Sequence, residues 1–165
     1  MRGRHNGLLI EEEFRDMKGE SDMKVEQISI FLENKPGGLE HVTRVLMDAG
    51  INIRALSLAD TSDFGILRLI VSESESAMAA LHGEGLTIRR SQVVAVEVPD
   101  RPGGMHSIAK VLTENNVNVE YAYAFVEKSG ENAIIIFRFD DIDAGIDVLL
   151  KKGFKVLTGE EVYRL

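Results

Sequence analysis

Apolar and polar residues alternate at the start of two similar stretches of the chain. Ile28, Ile30 and Leu32 alternate with polar Gln27 and Ser29, as in a strand that buries one face. The same alternation returns 66 residues later, in residues 94–98. The recurrence predicts two copies of one folding unit.

A helical pattern follows each of these strands, after the residues Pro-Gly-Gly. In the first copy the apolar residues have the spacing of one helix face: Leu39, Val42, Val45, Leu46 and Ala49. Gly50 and its counterpart Asn116 suit a left-handed stop after the helix. Two strands around a turn, a second helix and a short last strand complete each copy. The last strands are predicted at residues 86–90 and 154–158, with residues 160–165 extending the second.

The predicted order of elements is β-α-β-β-α-β in each copy. This order packs two helices on one face of a four-stranded antiparallel sheet, the ferredoxin-like arrangement. The sequence therefore predicts an α+β protein of two tandem ferredoxin-like βαββαβ units, residues 23–92 and 93–165. Residues 1–22 carry many charges around a short apolar island. They are interpreted as a mobile or vector-derived leader outside the fold.

The composition excludes several kinds of site. The 165 residues include no Cys, which excludes disulfides, thiol nucleophiles and thiolate metal ligands. The four His residues are scattered, and neither a Ser-His-Asp set nor a carboxylate pair stands out. No catalytic residue, metal site or cofactor is therefore predicted, and the protein is not expected to be an enzyme.

The charge and hydropathy of the chain limit its partners. The net charge is −8, with 27 acidic and 19 basic residues, which argues against a surface that follows nucleic-acid phosphates. Apolar runs fall short of the roughly 18 residues of a membrane span, and no signal peptide is recognised. We expect a cytoplasmic protein that binds neither nucleic acid nor membrane.

The stretches around the two Pro-Gly-Gly sequences carry a further similarity. Residues 33–53 read ENKPGGLEHVTRVLMDAGINI, and residues 99–119 read PDRPGGMHSIAKVLTENNVNV. Both resemble the strand, P-G-x-L, helix and Asn-Ile pattern of ACT domains, and the resemblance covers residues 25–165. It implies a small-molecule-sensing module, usually for amino acids, that regulates enzymes of amino-acid metabolism. A free-standing pair is similar to regulatory proteins such as the small subunits of acetolactate synthase.

The Pro-Gly-Gly loops suit a ligand carboxylate. The start of a helix presents unpaired N–H groups and the positive end of its dipole, and an anion accepts those groups directly. Glycine allows close approach to the backbone, and Asn side chains offer donors and acceptors. The resemblance places the Asn of the second strand toward the ligand. The predicted ligand-binding residues are Asn34, Pro36, Gly37, Gly38, Leu39, Asn52 and Ile53 in the first copy, and Asp100, Pro102, Gly103, Gly104, Met105, Asn118 and Val119 in the second.

Other interpretations of these residues stay open. Pro-Gly-Gly before a helix can be turn chemistry alone, and the two Asn residues can be local caps. The second copy has Asp100 at the position of Asn34. Its negative charge would lie near a ligand carboxylate, or it would hold an α-ammonium. The two sites therefore need not be equivalent, and one of them can be a structural relic. Tyr121 and Tyr123 lie on one side of an outer strand, as ligand wall or as interface packing.

The resemblance also implies how the copies assemble. The second strands of ACT domains commonly pair, so we expect the two sheets to join into one of eight strands. The pocket would then join the glycine loop of one copy to residues 52–58 or 118–124 of the other. A homodimer or a larger homo-oligomer is expected.

The expected function is non-catalytic regulation through amino-acid binding. The partners would be a free amino acid or similar small effector and a regulated biosynthetic enzyme or transcription factor. The competing functions are an assembly module with degenerate pockets and a small ferredoxin-like enzyme.

Overall fold

The computed structural model describes residues 19, 21–60, 63–129 and 131–165, without the side chains of residues 126–129. The predicted leader lies outside the described residues except for 19, 21 and 22. The elements in chain order are β1 (Val25–Glu33), α1 (Gly38–Asp48), β2 (Ile53–Asp60), β3 (Phe64–Val71), α2 (Ser74–Gly83), β4 (Thr87–Pro99), α3 (Gly104–Glu114), β5 (Val119–Ser129), β6 (Asn132–Phe139), α4 (Ile142–Lys151), β7 (Val156–Leu157) and α5 (Gly159–Arg164).

One sheet of seven strands runs through the molecule. Its order is β2-β3-β1-β4-β6-β5, β7 pairs with β4, and the pairings are antiparallel. Residues 87–93 of β4 pair with β1, and residues 94–99 pair with β6. Unit one consists of the elements from β1 to α2 and the first half of β4. Unit two consists of the second half of β4 and the elements that follow it. Both units have the ferredoxin-like element order, so the predicted fold class is confirmed.

The way in which the two units join differs from the expectation. The strands predicted at 86–90 and 93–98 are one continuous strand, β4, of 13 residues, so the sheet has seven strands instead of eight. The expected pairing of the two second strands is also wrong, because β2 and β5 are the two ends of the strand order. The predicted boundary between residues 92 and 93 falls inside β4.

Three apolar clusters hold this fold together. One lies between the sheet of unit one and its helices, and a second lies between the sheet of unit two and its helices. The third joins the helix-free faces of the two halves of this sheet, one in each unit, which we call the two sheets. It includes Ala55 and Ile70 of unit one with Phe125, Ile134 and Ile136 of unit two. The two units therefore pack sheet against sheet, which buries the face that each unit alone would leave in water.

The last residues form a helix where a strand extension was predicted. Thr158 and Glu161 make a capping box: the Glu161 N–H donates to the Thr158 hydroxyl over 3.2 Å, and the Glu161 carboxylate accepts from the Thr158 N–H over 2.7 Å. The Thr-x-x-Glu spacing is a helix-start signal that the sequence already contained. The prediction of a strand at residues 160–165 is therefore wrong.

Helix α5 of unit two packs against unit one and forms hydrogen bonds with it. Its Val162 is fully buried in the cluster between the sheets. The hydroxyl of Tyr163 accepts a hydrogen bond from the Glu26 N–H over 3.1 Å. Arg54 donates to the carbonyl of Leu165 over 2.7 Å. Strands of unit one are thus held by the C-terminal helix of unit two.

A buried polar network also links the two sheets, centred on Gln27. Its amide nitrogen donates to the Tyr121 hydroxyl over 2.8 Å and to the Ser91 hydroxyl over 3.1 Å. Its amide oxygen accepts from the Tyr123 hydroxyl over 2.8 Å. The guanidinium of Arg68 lies 4.0 Å from the centre of the Tyr121 ring. The two tyrosines are therefore packed at the interface between the units.

Alkaline pH is expected to destabilise the protein through Tyr123. Burial, with a smaller contribution from Tyr121, raises the pKa of Tyr123 above its ordinary value of 10.0. Above about pH 10 the unfolded chain loses this proton while the folded chain keeps it, so stability falls as pH rises. Urea unfolding should show that the wild type loses about 1.4 kcal/mol more per pH unit above about pH 10 than Tyr123→Phe does. Parallel pH curves would contradict the assignment.

Candidate functional site

The two Pro-Gly-Gly loops have the same backbone path. Gly37 and Gly103 precede α1 and α3 with left-handed φ angles of 96° and 88°, which favour glycine. Each loop is tied to the hairpin beside it: the Asn34 N–H donates to Asp63 over 3.1 Å, and the Asp100 N–H donates to Glu131 over 3.1 Å. The sequence repeat is thus a repeat of local structure.

The N-terminus of α1 presents backbone donors beside the first loop. Its N-cap is Gly37, which has no side chain to accept from the first turn. The helical ladder begins with the His41 N–H, which donates to Gly37 over 2.9 Å. The N–H groups of Gly38, Leu39 and Glu40 precede this ladder, at the positive end of the helix dipole.

A cavity of about 270 Å³ lies at this loop. It brings together five of the predicted residues: Asn34, Pro36, Gly37, Gly38 and Leu39. Leu58 and Asp60 of β2 and Gly65 of β3 form another part of its wall, and sequence reasoning missed them. The β2–β3 hairpin returns to the same end of the sheet as the loop after β1, so the predicted element order contained the signal.

The second loop differs from the first in its glycine and its cavity. The Gly104 N–H donates to the Arg101 carbonyl over 2.9 Å. A Cβ on Gly104 would lie 1.9 Å from the Pro99 carbonyl oxygen, whereas a Cβ on Gly38 would meet Leu32 at 3.7 Å. Gly104 is therefore required by close backbone packing, and Gly38 is not.

The cavity near the second loop is lined by different residues from those predicted. It measures about 520 Å³ and is lined by Pro99, Asp100, Arg101, Glu131 and Asn132. Asp100 is its one predicted ligand-binding residue, and Pro102, Gly103, Gly104 and Met105 are not in its lining. The two loops share a backbone but present different surfaces.

Asn52 and Ile53 lie far from the first loop. They line a separate, open depression with Met47 and Gly50. The 11 residues of α1 span about 16 Å at the rise of an α-helix, and Asn52 follows its opposite end. The structure therefore does not bring Asn52 and Ile53 together with Asn34.

Asn118 and Val119 occupy the corresponding end of unit two. The Asn118 N–H donates to the Asp140 carboxylate over 3.1 Å, and its carbonyl accepts from the Asp140 N–H over 3.2 Å. Val119 pairs with Phe139 across the sheet. The described cavities at both loops are lined by their own units, so the expected pocket between a loop and residues 52–58 or 118–124 of the other copy does not form there.

The described residues contain neither a cluster of metal ligands nor a membrane-spanning helix. In the part of the chain that the structure describes, no three His, Asp or Glu side chains converge as metal ligands. Across these residues, no helix has both the length and the apolar character needed to span a bilayer.

Comparison with known proteins gives a family. A family model described as an ACT domain pair matches residues 23–165. A crystal structure of protein BT0572 from Bacteroides thetaiotaomicron is similar at 37% identity, over 87% of this chain and 98% of that one, with a TM-score of 0.81. Curated protein sequences give no match.

More distant structures share the fold. The regulatory subunit of aspartate kinase from Thermus thermophilus, in its ligand-free form, is 16% identical over 80% of this chain and 95% of that one, with a TM-score of 0.59. The same subunit from Thermus flavus is 16% identical over 79% and 93%, with a TM-score of 0.56. The element order, the paired loops and the family model agree: the chain belongs to the family of ACT domain pairs.

Proposed function

We propose that this chain is a non-catalytic regulatory protein that binds a free amino acid, or a similar small effector, at the first Pro-Gly-Gly loop. The observation that carries the proposal is the cavity in which the uncapped start of α1 meets Asn34 and Asp60. Backbone N–H groups at the start of a helix suit the ligand carboxylate. The Asp60 carboxylate and the Asn34 amide oxygen suit its α-ammonium.

The size and walls of this cavity favour a small apolar amino acid. Its volume of about 270 Å³ is just below the roughly 300–1,000 Å³ of pockets for drug-sized ligands. Three leucines line part of it, Leu32, Leu39 and Leu58, so an aliphatic side chain would meet apolar neighbours there. The rest of the wall includes the charged residues Glu33, Lys35 and Glu40. A branched-chain amino acid is therefore the first candidate effector.

We assign the effector to unit one. In unit two the first helical N–H already bonds to Arg101, and Asp100 replaces Asn34. The carboxylate of Asp100 repels a ligand carboxylate at that position. We therefore expect one effector per chain.

The regulated target is a protein of amino-acid metabolism, an enzyme or a transcription regulator. Membership of the ACT domain pairs supports this part of the proposal. Regulation requires that the effector bind one arrangement of the protein more tightly than another.

A thermal-shift screen of the full chain against the twenty amino acids tests the proposal. A ligand at about 100 times its dissociation constant adds roughly 2.7 kcal/mol, which raises the Tm of a protein of this size by roughly 5–10 °C. We expect a selective rise with aliphatic amino acids. A flat screen would contradict effector binding and favour a pure assembly module.

Matched variants locate the effector in unit one. The side chain of Gly38→Val would lie against Leu32 and Glu33, which line the same cavity. We expect Gly38→Val to abolish the ligand-induced rise while the ligand-free Tm changes by only about 2 °C. Asp100→Asn is the control and should keep the rise. A response lost in Asp100→Asn and kept in Gly38→Val would place the effector in unit two.

A further inference from the structure

Unit two covers only part of the helix-free face of unit one. Alternate residues of a strand share one face of the sheet, so Gln27, Ser29 and Phe31 of β1 lie opposite the helices. Gln27 is buried and bonds to Tyr121 and Tyr123 of unit two. Phe31, toward the other end of β1, is 41% exposed. A part of this sheet face is therefore open to solvent.

Two arginines lie on this face, on either side of β1. Ser29 pairs with Arg68 of β3 on one side and with Arg89 of β4 on the other. The Cα atoms of the two arginines are therefore two strand spacings apart, which is about 10 Å. Arg90, the next residue of β4, lies on the opposite face and contacts Met78 of α2. The register thus places two guanidinium groups on one face, with only the small Ser29 between their strands.

Arg68 and Arg89 lack an acidic partner among the residues that the structure describes. In contrast, Arg90 pairs with both Glu26 and Glu75. The Nε atom of Arg68 is buried and has no hydrogen-bond partner, although buried polar groups are ordinarily hydrogen-bonded. The chain has a net charge of −8, so acidic partners for two arginines are not scarce in its sequence. Two unpaired arginines on one face therefore indicate that an anionic group from another molecule binds there.

Apolar side chains continue this face beyond the arginines. Phe31 pairs with Ile66 of β3, and Phe64 lies two residues from Ile66 on the same strand. Phe64 is 55% exposed, and Ile66 is half-buried. We call these three residues and the two arginines the open face: Phe31, Phe64, Ile66, Arg68 and Arg89. Exposed aromatic residues beside arginines are typical of a protein interaction surface.

The equivalent positions of unit two carry a different set of residues. Ala95 pairs with Ile136 of β6 and with Leu157 of β7, as Ser29 pairs with the two arginines. All three are apolar, at most 4% exposed, and part of the cluster between the sheets. The fold itself thus accommodates apolar residues at these positions. The unpaired arginines are therefore a property of unit one and not of the fold.

We propose that the open face binds an acidic, apolar segment of a partner protein. Two carboxylates of that segment would pair with Arg68 and Arg89, because a guanidinium fits a carboxylate through two parallel hydrogen bonds. Apolar side chains of the segment would cover the three apolar residues of the open face. The ring of Tyr121 lies 4.0 Å from the Arg68 guanidinium and holds it in place, which lowers the entropic cost of binding.

The shape and charge of the open face favour a protein over other partners. It is part of an open sheet, whereas small ligands bind in concave pockets. Two arginines match two carboxylates, while a nucleic acid presents a row of phosphates to a protein whose net charge is −8. The loop cavity lies on the other face, where Leu32 packs beneath the helices. The inference therefore does not rest on effector binding.

A labelled peptide tests the charge requirement. The probe is a short, fluorescent, end-blocked peptide of Glu, Leu and Phe, and its twin has Gln in place of each Glu. We expect the full chain to raise the anisotropy of the acidic probe and to bind the twin roughly tenfold more weakly. Absence of binding at about 1 mM protein overturns the proposal, as does equal binding of the twin. Tighter binding of a single-stranded oligonucleotide with the same label would also overturn it.

Matched arginine variants locate the probe on the open face. Arg68→Gln combined with Arg89→Gln should weaken binding of the acidic probe by roughly tenfold or more. Arg89 is exposed, so Arg89→Gln alone should fold as the wild type does and show part of this loss. The control is Arg90→Gln on the opposite face, which should bind as the wild type does. Circular dichroism checks the fold of each variant, and a loss in Arg90→Gln without one in the double variant contradicts the proposal.

A second pair of variants tests the apolar part of the open face. Phe64→Ala should weaken binding of the acidic probe by roughly fivefold or more. The control is Leu150→Ala on α4 of unit two, which removes another exposed apolar side chain, 37% exposed, and should leave binding unchanged. Both side chains are exposed, so both variants should fold. A loss in Leu150→Ala and none in Phe64→Ala would place the probe on another surface and contradict the proposal.

Discussion

Gly104→Ala is expected to lower the free energy of unfolding by roughly 3 kcal/mol or more, while Gly38→Ala leaves it within about 1 kcal/mol of the wild type. The added Cβ on Gly104 would lie 1.9 Å from a backbone oxygen of Pro99. A backbone atom cannot rotate away as a side chain can, so the loop or α3 must shift. On Gly38 the nearest atoms would be at 3.7 Å, which is ordinary van der Waals contact.

Thermal unfolding of the two variants measures this difference. A loss of 3 kcal/mol corresponds to a fall in Tm of roughly 6–12 °C for a protein of this size. Gly38→Ala is the matched control, since it makes the same chemical change at the equivalent loop position. Equal Tm values for the two variants would show that the second loop relaxes freely, and would remove the structural distinction between them.

The two copies therefore share one backbone conformation at the loop, but the surface that the loop presents differs between them. Both loops place a left-handed glycine before the helix. In the second loop the next glycine is buried and bonded to Arg101, so the loop is closed by its own chain. In the first loop, the helix start opens on a cavity. This difference supports assigning the effector to unit one.

The sequence predicts the units well because their patterns depend on local packing. Ile28, Ile30 and Leu32 lie in the core beneath the helices, as their alternation indicates. The left-handed stop predicted at Asn116 is confirmed by its φ of 57°. Residues 34–39 line one cavity, as expected for neighbouring residues of a single loop.

The packing between the two units cannot be predicted from residue patterns within one element. Alternation marks Gln27 and Ser29 as the solvent face of β1, yet they are 0% and 8% exposed. They are buried because the sheet of unit two covers them. Residue patterns within one strand cannot reveal a partner that is about 94 residues away in the chain, as Tyr121 is. The helical end at Val162 and the distance between Asn52 and the first loop are different cases, because the Thr-x-x-Glu signal and the length of α1 are local features of the sequence.

Gln27→Leu is expected to lower the free energy of unfolding by about 3 kcal/mol. The substitution removes the amide that bonds to the hydroxyls of Tyr121 and Tyr123, each over 2.8 Å. The two hydroxyls are partly buried, so each one left without a partner costs toward the lower end of about 1–3 kcal/mol. Leucine fills most of the volume of the glutamine, so a cavity contributes little. Urea unfolding at neutral pH measures the loss.

The triple variant Gln27→Leu, Tyr121→Phe, Tyr123→Phe separates lost hydrogen bonds from poor packing. It removes the glutamine amide and both tyrosine hydroxyls together, and leaves the hydroxyls of Ser29 and Ser91 from the network. Apolar replacement of buried hydrogen-bonded groups as a set is close to neutral. Tyr121→Phe also keeps the ring beneath Arg68. We therefore expect the triple variant to recover most of the loss seen in Gln27→Leu alone. If the triple variant is less stable than Gln27→Leu, the hydrogen bonds of the network themselves hold the two sheets together, and do more than satisfy buried polar groups.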